Sequence, residues 1–305
     1  MMRTESHTLA GKRIGIFGKG GCGKSTVSVL LARALRRVGY PIVLVDADST
    51  NMGLSTVLDL EQSPRPLVDY FGGMVFSGGA VTCPVDDPTE LARSDVSLDR
   101  LPREYVGTID DGFHLLVAGK MGGLGPGAGC DGPISKIARD LRVHGDGEEP
   151  VTLVDFKAGF EDSARGVLIG LDWALVVVVP TVAAVQMALD LRETIQRIRA
   201  GALPATAHLG HAELVDLAHA QYRQARIQGT LCVLNKVPDD ETEQFLRAKL
   251  ATTGMEPIGV IHNHASVADS WLRGSPLRDA GADEEAGHLA KRLEAAAAAV
   301  AVGVP

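Results

Sequence analysis

The stretch GKGGCGKST, residues 18–26, decides the fold of this 305-residue sequence. It follows the apolar run RIGIF (13–17) and precedes VSVLLARALRR (27–37), whose apolar spacing is typical of a helix. A glycine loop between a strand and a helix fits G-x-x-x-x-G-K-[ST], a pattern whose backbone N–H groups surround phosphate oxygens. The sequence therefore predicts a phosphate-binding loop here.

Each residue of this loop has an expected contact with a bound nucleotide. Lys24 is expected to meet the β and γ phosphate oxygens, and the Ser25 hydroxyl is expected to ligate Mg²⁺. A glycine turn that binds nothing is the alternative, and the flanking strand and helix disfavour it. The other expected nucleotide contacts are Gly20, Gly21, Cys22, Gly23 and Thr26.

Composition excludes several classes of protein. A net charge of −8 argues against a surface that holds nucleic acid by neutralising phosphates. The four cysteines contain no C-x-x-C pair, so they predict no disulfide framework. The longest apolar run, WALVVVVP (173–180), is too short to span a bilayer, and no apolar signal segment opens the chain. We expect a cytoplasmic protein with no nucleic-acid partner and no membrane anchor.

Short β-branched runs recur along the chain and alternate with helical patterns. This βαβ rhythm predicts an α/β fold: a doubly wound, mostly parallel sheet of about seven strands with helices on both faces, as in P-loop NTPases. The expected strands are 13–17, 41–46, 113–118, 151–155, 174–180, 230–235 and 257–261. The expected helices include 24–38, 182–200, 240–253 and about 283–301.

Two segments interrupt the rhythm, at about 61–110 and 201–228. We interpret them as irregular excursions from a single domain that spans 1–305. The last helical pattern is rich in alanine and lacks the basic face of a membrane-targeting helix, which favours a packed or surface helix.

A second lysine, Lys19, opens the glycine loop. The whole string resembles the deviant Walker A motif, G-K-G-G-x-G-K-[ST], of the SIMIBI-class ATPases, which include MinD, ParA, nitrogenase iron protein and the arsenite-pump ATPase. The resemblance implies that Lys19 reaches across a two-fold axis to the nucleotide of a partner subunit, so that hydrolysis of ATP depends on homodimerisation. The alternative is an exposed loop lysine.

Carboxylates follow two of the expected strands. In VDADSTNMGLS (45–55), the resemblance implies that Asp48 orients the attacking water, although a helix cap or an indirect Mg²⁺ contact is also common there. Asp46 is interpreted as structural. In LVDFKAG (153–159), the resemblance implies that Asp155 holds Mg²⁺ through water, with Gly159 as a hinge.

The base site is expected after the last two strands. In CVLNKV (232–237), Asn235 and Lys236 match the adenine-binding position of the family, and the aspartate of guanine-binding N-K-x-D motifs is absent. Ile261 and His262 are expected to complete the nucleotide pocket. His262 and His264 replace the family's usual proline-containing loop, and a base or ribose contact is one interpretation of them.

Two further stretches resemble CooC-type ATPases, which help to insert nickel into carbon monoxide dehydrogenase. GLGPGAGCDGP (123–133) is similar to their cysteine segment, and VDFKAGFEDSARG (154–166) is similar to D-M-E-A-G-x-E-x-x-x-R-G. The departures are Cys130 without the second cysteine of C-x-C, Lys157 in place of glutamate, and Asp162 where nitrogenase iron protein has a cysteine.

These departures shape the functional hypothesis. Cys130 is a candidate ligand for Zn²⁺ or Ni²⁺ bridging a dimer, with Asp131 or solvent completing the site, or else a small residue in an interface loop. Cys22 and Cys232 are interpreted as structural, and Cys83 has no expected role. His208, His211 and His219 are interpreted as a solvated helical face.

The leading hypothesis is a Mg²⁺- and ATP-dependent homodimeric accessory protein, a metallochaperone or maturation factor that gates a metal ion or a client metalloenzyme. The alternative is a ParA- or MinD-like positioning ATPase. A nitrogenase-like iron–sulfur reductase is disfavoured, because two copies of Cys130 supply only two of four cluster ligands.

Overall fold

The computed structural model describes residues 7–51, 53–121, 130–159 and 166–301. The glycine-rich segment before Cys130 and the position of Asp162 lie outside the described residues. Ten strands are present in these ranges. They are β1 (Arg13–Gly18), β2 (Ile42–Ala47), β3 (Asp95–Ser97), β4 (Gly107–Asp110), β5 (Phe113–Val117), β6 (Arg142–His144), β7 (Val151–Phe156), β8 (Trp173–Val178), β9 (Gly229–Val237) and β10 (Pro257–His262).

Eight of these strands form one sheet in the order β10-β9-β8-β1-β7-β2-β5-β4. All neighbours are parallel except β4, which pairs antiparallel with β5 at one edge. β1 lies between β7 and β8, with Ile16 paired to Asp155 on one side and to Leu175 on the other. The mostly parallel sheet expected from the sequence is confirmed.

Nine α-helices connect the strands of the described ranges. They are α1 (Lys24–Arg37), α2 (Leu54–Val57), α3 (Leu67–Tyr70), α4 (Gly132–Asp140), α5 (Val182–Arg199), α6 (Ala212–Arg223), α7 (Asp240–Ala251), α8 (Ala265–Arg273) and α9 (Ala280–Ala301). Side-chain caps start two of them: the Thr181 hydroxyl accepts from the Ala184 N–H, and the Asp239 carboxylate accepts from the Thr242 N–H.

The sheet has eight strands rather than the expected seven. The additional strand, β4, belongs to the 61–110 excursion, where four residues with a single buried position give too short a pattern to indicate a strand. The same excursion supplies β3, which pairs with β6 in a separate two-stranded sheet.

Hydrophobic cores lie on both faces of the sheet. On one face, α1 and α9 cover the sheet, and Leu30, Leu289 and Leu293 are fully buried. On the other face, the Phe17 and Phe156 rings stack with centroids 4.7 Å apart. Since burying one such side chain contributes about 1.5–3 kcal/mol, α9 is a structural helix of the core.

A buried arginine anchors α4 beside the sheet. Arg13, at the start of β1, donates from Nη2 to the Ala138 carbonyl at 2.7 Å and from Nη1 to the Arg139 carbonyl at 3.2 Å. Both carbonyls belong to the last turn of α4, where backbone C=O groups lack helical partners and a cation is favourable. The opposite end of α4 is thereby held at the carboxyl edge of the sheet.

Candidate functional site

The glycine loop follows β1 at the centre of the sheet and needs its glycines for two reasons. Gly23 caps α1 with φ of 88°, and a Cβ there would lie 2.3 Å from Asn235 Nδ2. A Cβ on Gly18 would lie 2.5 Å from Cys22 Sγ and 2.8 Å from the Val177 carbonyl oxygen. Any side chain at either position would force the loop open, so its closely wrapped backbone depends on glycine.

The expected phosphate and magnesium residues lie at the start of α1. Lys24 is 6% exposed, although the loop around it is exposed at Lys19, Gly20 and Gly21. The Ser25 hydroxyl donates to Asp155 Oδ2 at 2.6 Å and accepts from the Asn51 amide at 2.8 Å. The structure thus brings the first helix turn, the loop after β2 and the end of β7 together.

Asp155 has the setting of a Mg²⁺ ligand. Its side chain is fully buried, and burial raises its pKa to about 6, although the Ser25 hydroxyl and the Lys24 ammonium act against the rise. Its Oδ1 atom has no hydrogen-bond partner among the described residues. A buried carboxylate oxygen beside a serine hydroxyl is a hard oxygen donor set, so these residues fit Mg²⁺ bound directly or through water.

Asp48 makes the local contacts of a turn. Its Oδ1 atom accepts from the Thr50 N–H at 2.9 Å, the Thr50 hydroxyl at 2.7 Å and the Asn51 N–H at 3.2 Å. These contacts form a turn and not the helix cap considered as an alternative, since the next helix, α2, starts at Leu54 without a side-chain cap. The water-orienting role of Asp48 stays a prediction. Because Oδ1 is engaged by the turn, that role would belong to Oδ2.

Sequence reasoning missed Lys120, which follows β5. Its side chain is 12% exposed, and its ammonium donates to Asp46 Oδ2 at 2.7 Å, to the Asp48 carbonyl at 2.6 Å and to the Asn51 carbonyl. Burial raises the pKa of Asp46, and the charge of Lys120 opposes that effect. The only sequence signal was a lysine directly after an apolar strand, too general a pattern to indicate this contact.

Asp131 joins three segments at the start of α4, through contacts that the sequence did not indicate. Its Oδ2 atom accepts from the Ser49 hydroxyl at 3.2 Å and from the Lys157 ammonium at 2.9 Å. Ser49 follows β2 and Lys157 follows β7, so both nucleotide-side loops touch one carboxylate. Its neighbour Cys130 is half-buried, with Sγ 3.4 Å from the Gly132 nitrogen. We call Ser49, Asp131 and Lys157 the junction.

The end of β9 supports the glycine loop from behind. Asn235 is 2% exposed and donates from Nδ2 to the Cys22 carbonyl at 2.7 Å. Lys236 adopts a left-handed φ of 56° and donates to the Gly21 carbonyl at 2.8 Å. The expected adenine contact of Asn235 stays a prediction, because the contact present is to the loop backbone.

His262, which ends β10, and His264, which follows it, both contact a carboxylate of the chain. His262 Nδ1 lies 2.7 Å from Glu285 Oε1, and His264 Nε2 lies 2.9 Å from Glu285 Oε2. Glu285 belongs to α9, so these contacts tie the loop after β10 to the packed helix. The expected nucleotide contacts of Ile261 and His262 stay predictions, as does the base or ribose contact of His262 and His264.

No described helix combines the length and the apolar composition needed to cross a membrane.

Comparison with known proteins places this geometry in a family. The model of the CobQ/CobB/MinD/ParA nucleotide binding domain matches residues 16–277. An uncharacterized ATP-binding protein of Methanocaldococcus jannaschii is 31% identical over 183 residues, which cover 59% of this chain and 72% of that protein. The carbon monoxide dehydrogenase accessory protein CooC of Rhodospirillum rubrum is 26% identical over 196 residues, 59% of this chain and 67% of its own.

Among solved structures, the septum site-determining protein MinD of Pyrococcus horikoshii, complexed with Mg-ADP, aligns with a TM-score of 0.58 at 16% identity, covering 92% of this chain and 95% of its own. A ParA family ATPase of Chlorobium tepidum aligns with a TM-score of 0.56 at 15% identity, covering 92% and 99%. These likenesses show a shared fold. With the match over 16–277, they establish that the chain belongs to the CobQ/CobB/MinD/ParA family of nucleotide-binding domains.

Proposed function

We propose that this protein is a Mg²⁺-dependent ATPase that acts as a homodimer and whose nucleotide cycle gates a metal ion or a client metalloenzyme. The observation that carries the proposal is the junction: one carboxylate beside Cys130 binds both loops that surround the nucleotide site. A change in either loop is therefore transmitted to the cysteine segment through a direct contact.

Nucleotide binding rests on the loop at 18–26. Its backbone N–H groups surround the phosphates, and the buried Lys24 ammonium pairs with the β and γ oxygens. Ser25 and Asp155 would hold Mg²⁺, which when bound would supply charge neutralisation for phosphoryl transfer. Asn235 and Lys236 fix the loop and lie at the expected adenine side of the site.

Hydrolysis is proposed to need two subunits. Lys19 is exposed at the entrance of the loop, where it is available to the nucleotide of a partner. Asp48 uses Oδ1 for Thr50 and Asn51, which fixes the carboxylate and leaves Oδ2 to accept from the attacking water. Lys120 holds the backbone of that loop, so it acts as a positioning residue.

The accessory role is supported by the similarity to CooC and by the position of Cys130 beside the junction. A positioning ATPase of the MinD or ParA type is the second candidate, because proteins of that kind share the fold over nearly the whole chain. The net charge of −8 weighs against a DNA-binding form of that candidate.

The proposal is tested by measuring Zn²⁺ and Ni²⁺ affinity in the ATP-bound and ADP-bound states. We expect the wild-type affinities to differ between the states by about tenfold, the usual scale of coupling between two sites. The Asp131→Ala variant should lose this difference while it still binds ATP. Equal affinities in both states of the wild type would contradict the accessory role, and ATP-dependent binding to DNA or vesicles would favour the positioning role.

A further inference from the structure

Two of the four cysteines come together although 46 residues separate them in sequence. The point that a Cβ on Gly132 would occupy lies 2.5 Å from Cys83 Sγ and 3.2 Å from Cys130 Sγ. The two sulfur atoms are therefore separated by no more than the sum of those distances. Cys83 belongs to the 61–110 excursion, and no role was expected of it from the sequence.

The two sulfur atoms differ in their exposure, and backbone N–H groups lie near both. Cys83 is 6% exposed and Cys130 is half-buried, so the pair opens to the surface on the Cys130 side. The Gly132 N–H, in the first turn of α4, faces Cys130 Sγ at 3.4 Å. Burial raises the pKa of the Cys83 thiol, while the backbone N–H groups of Val85 and Asp86 act against that rise. Backbone donors thus support both sulfurs.

We infer that Cys83 and Cys130 of one subunit together form a two-thiolate site for a thiophilic divalent ion of the Zn²⁺ class. The inference deepens the proposed function and rests on it for the ion's role as cargo. Binding releases one proton from each thiol, and two S–metal bonds form without any change of oxidation state. Two protein ligands leave the remaining coordination positions to water or to a recipient protein, which makes the ion exchangeable.

This site differs from the dimer-bridging site expected from Cys130 alone. It is complete within one subunit, so it should bind one ion per subunit in the absence of nucleotide. Its connection to the nucleotide is the junction, because Asp131 follows Cys130 directly and binds Ser49 and Lys157. A shift of either loop would act on Cys130 through Asp131, whereas Cys83 lies in a separate segment that Lys136 holds against α4.

The test uses Co²⁺ as a spectroscopic probe and Zn²⁺ in competition, on full-length protein under reducing conditions without nucleotide. We expect thiolate-to-cobalt charge-transfer absorption that saturates at one Co²⁺ per subunit. Cys83→Ser and Cys130→Ser should each weaken Zn²⁺ binding by about tenfold or more, because each removes one of two thiolates. Cys232→Ala, in the buried strand β9, is the matched control and should bind as the wild type does.

Cys83→Ala gives a second test, because alanine places no hydroxyl group in the buried position. Circular dichroism and ATP binding verify that each variant is folded. Wild-type Zn²⁺ affinity in both Cys83 variants would overturn the inference and leave Cys130 as the ligand of the proposed function. One ion per two subunits, or iron–sulfur absorption in the purified protein, would also overturn it. Loss of binding in both cysteine variants, with no effect of ATP on wild-type affinity, would support the inference and contradict the proposed accessory role.

Discussion

The glycine loop and the junction lie at the same edge of the sheet but are built in different ways. The loop is contiguous in sequence, and the side chains of Asn235 and Lys236 hold it by donating to the backbone carbonyls of Cys22 and Gly21. The junction is assembled from three separate segments through side chains, one of which, Lys157, is 32% exposed. The loop is held through its own backbone carbonyls and by the buried Asn235, which fixes it before a ligand arrives, whereas the junction depends on contacts between side chains, which exchange more readily. We infer that the loop binds the nucleotide and that the contacts of the junction change with the state of the nucleotide.

The sharpest test of this comparison is in the loop. Lys24→Ala should lower ATP affinity by about a thousandfold, because a charge-assisted contact to two phosphate groups is removed from a buried site. Titration calorimetry measures the loss. Lys19→Ala is the matched control, since its exposed lysine is expected to act on a partner's nucleotide, so it should retain affinity and lose turnover. Unchanged ATP affinity in Lys24→Ala would show that the loop at 18–26 is not the nucleotide-binding site.

The next effect concerns the loop after β2. Lys120→Met should destabilise the protein by about 3–5 kcal/mol, because it leaves the buried Asp46 carboxylate without its counter-charge. Urea unfolding followed by circular dichroism measures the change. Adding Asp46→Asn should restore much of the lost stability, since the unpaired charge is then absent. Equal free energies of unfolding for wild type and Lys120→Met would show that the ion pair does not contribute to stability.

A catalytic effect is expected at Asp48. Asp48→Ala should lower ATP turnover by about a hundredfold or more, because the attacking water loses its acceptor. Light scattering should then find an ATP-bound dimer that persists, whereas Asp48→Ala combined with Lys24→Ala should stay monomeric. A monomer in the presence of ATP for the single variant would contradict the proposed dependence of hydrolysis on dimerisation.

The smallest effect tests the segment that carries Cys83. Asp87 is partly buried, which alone would raise its pKa, but hydrogen bonds from Thr89 and Thr82 and the charge of Lys136 lower the pKa to about 2. A depressed folded-state pKa adds stability above the unfolded value near 4, and that stability disappears as pH falls toward 2. Asp87→Asn should therefore destabilise the protein by about 1 kcal/mol at pH 7, a value reduced by solvent screening.

Thermal unfolding of wild type and Asp87→Asn across this pH range measures the difference. The two curves should converge near pH 2, where the wild-type carboxylate is also protonated. A difference that stays constant with pH would show that packing rather than charge accounts for the effect.

Sequence patterns located contiguous features and missed those assembled in space. Seven strands and the loop at 18–26 were predictable because each is a local run with its own periodicity or motif. β4 was not, because an edge strand of four residues buries too little to show alternation. The contacts of Lys120 with Asp46 and of Asp131 with Lys157 gave no signal, because the partners come from different strand ends and only the strand order brings them together.

Gly132 carries a consequence for the evolution of this family. A side chain there would meet Cys83 Sγ, since its Cβ would lie 2.5 Å from that sulfur. A cysteine at 132, as the C-x-C pattern would place it, and a cysteine at 83 therefore compete for one volume. We expect homologues to carry one or the other but not both. A pair of thiols can thus be supplied either by a local C-x-C motif or by two positions distant in sequence, at the same place in the fold. An alignment that counts C-x-C alone would record the second kind of pair as absent.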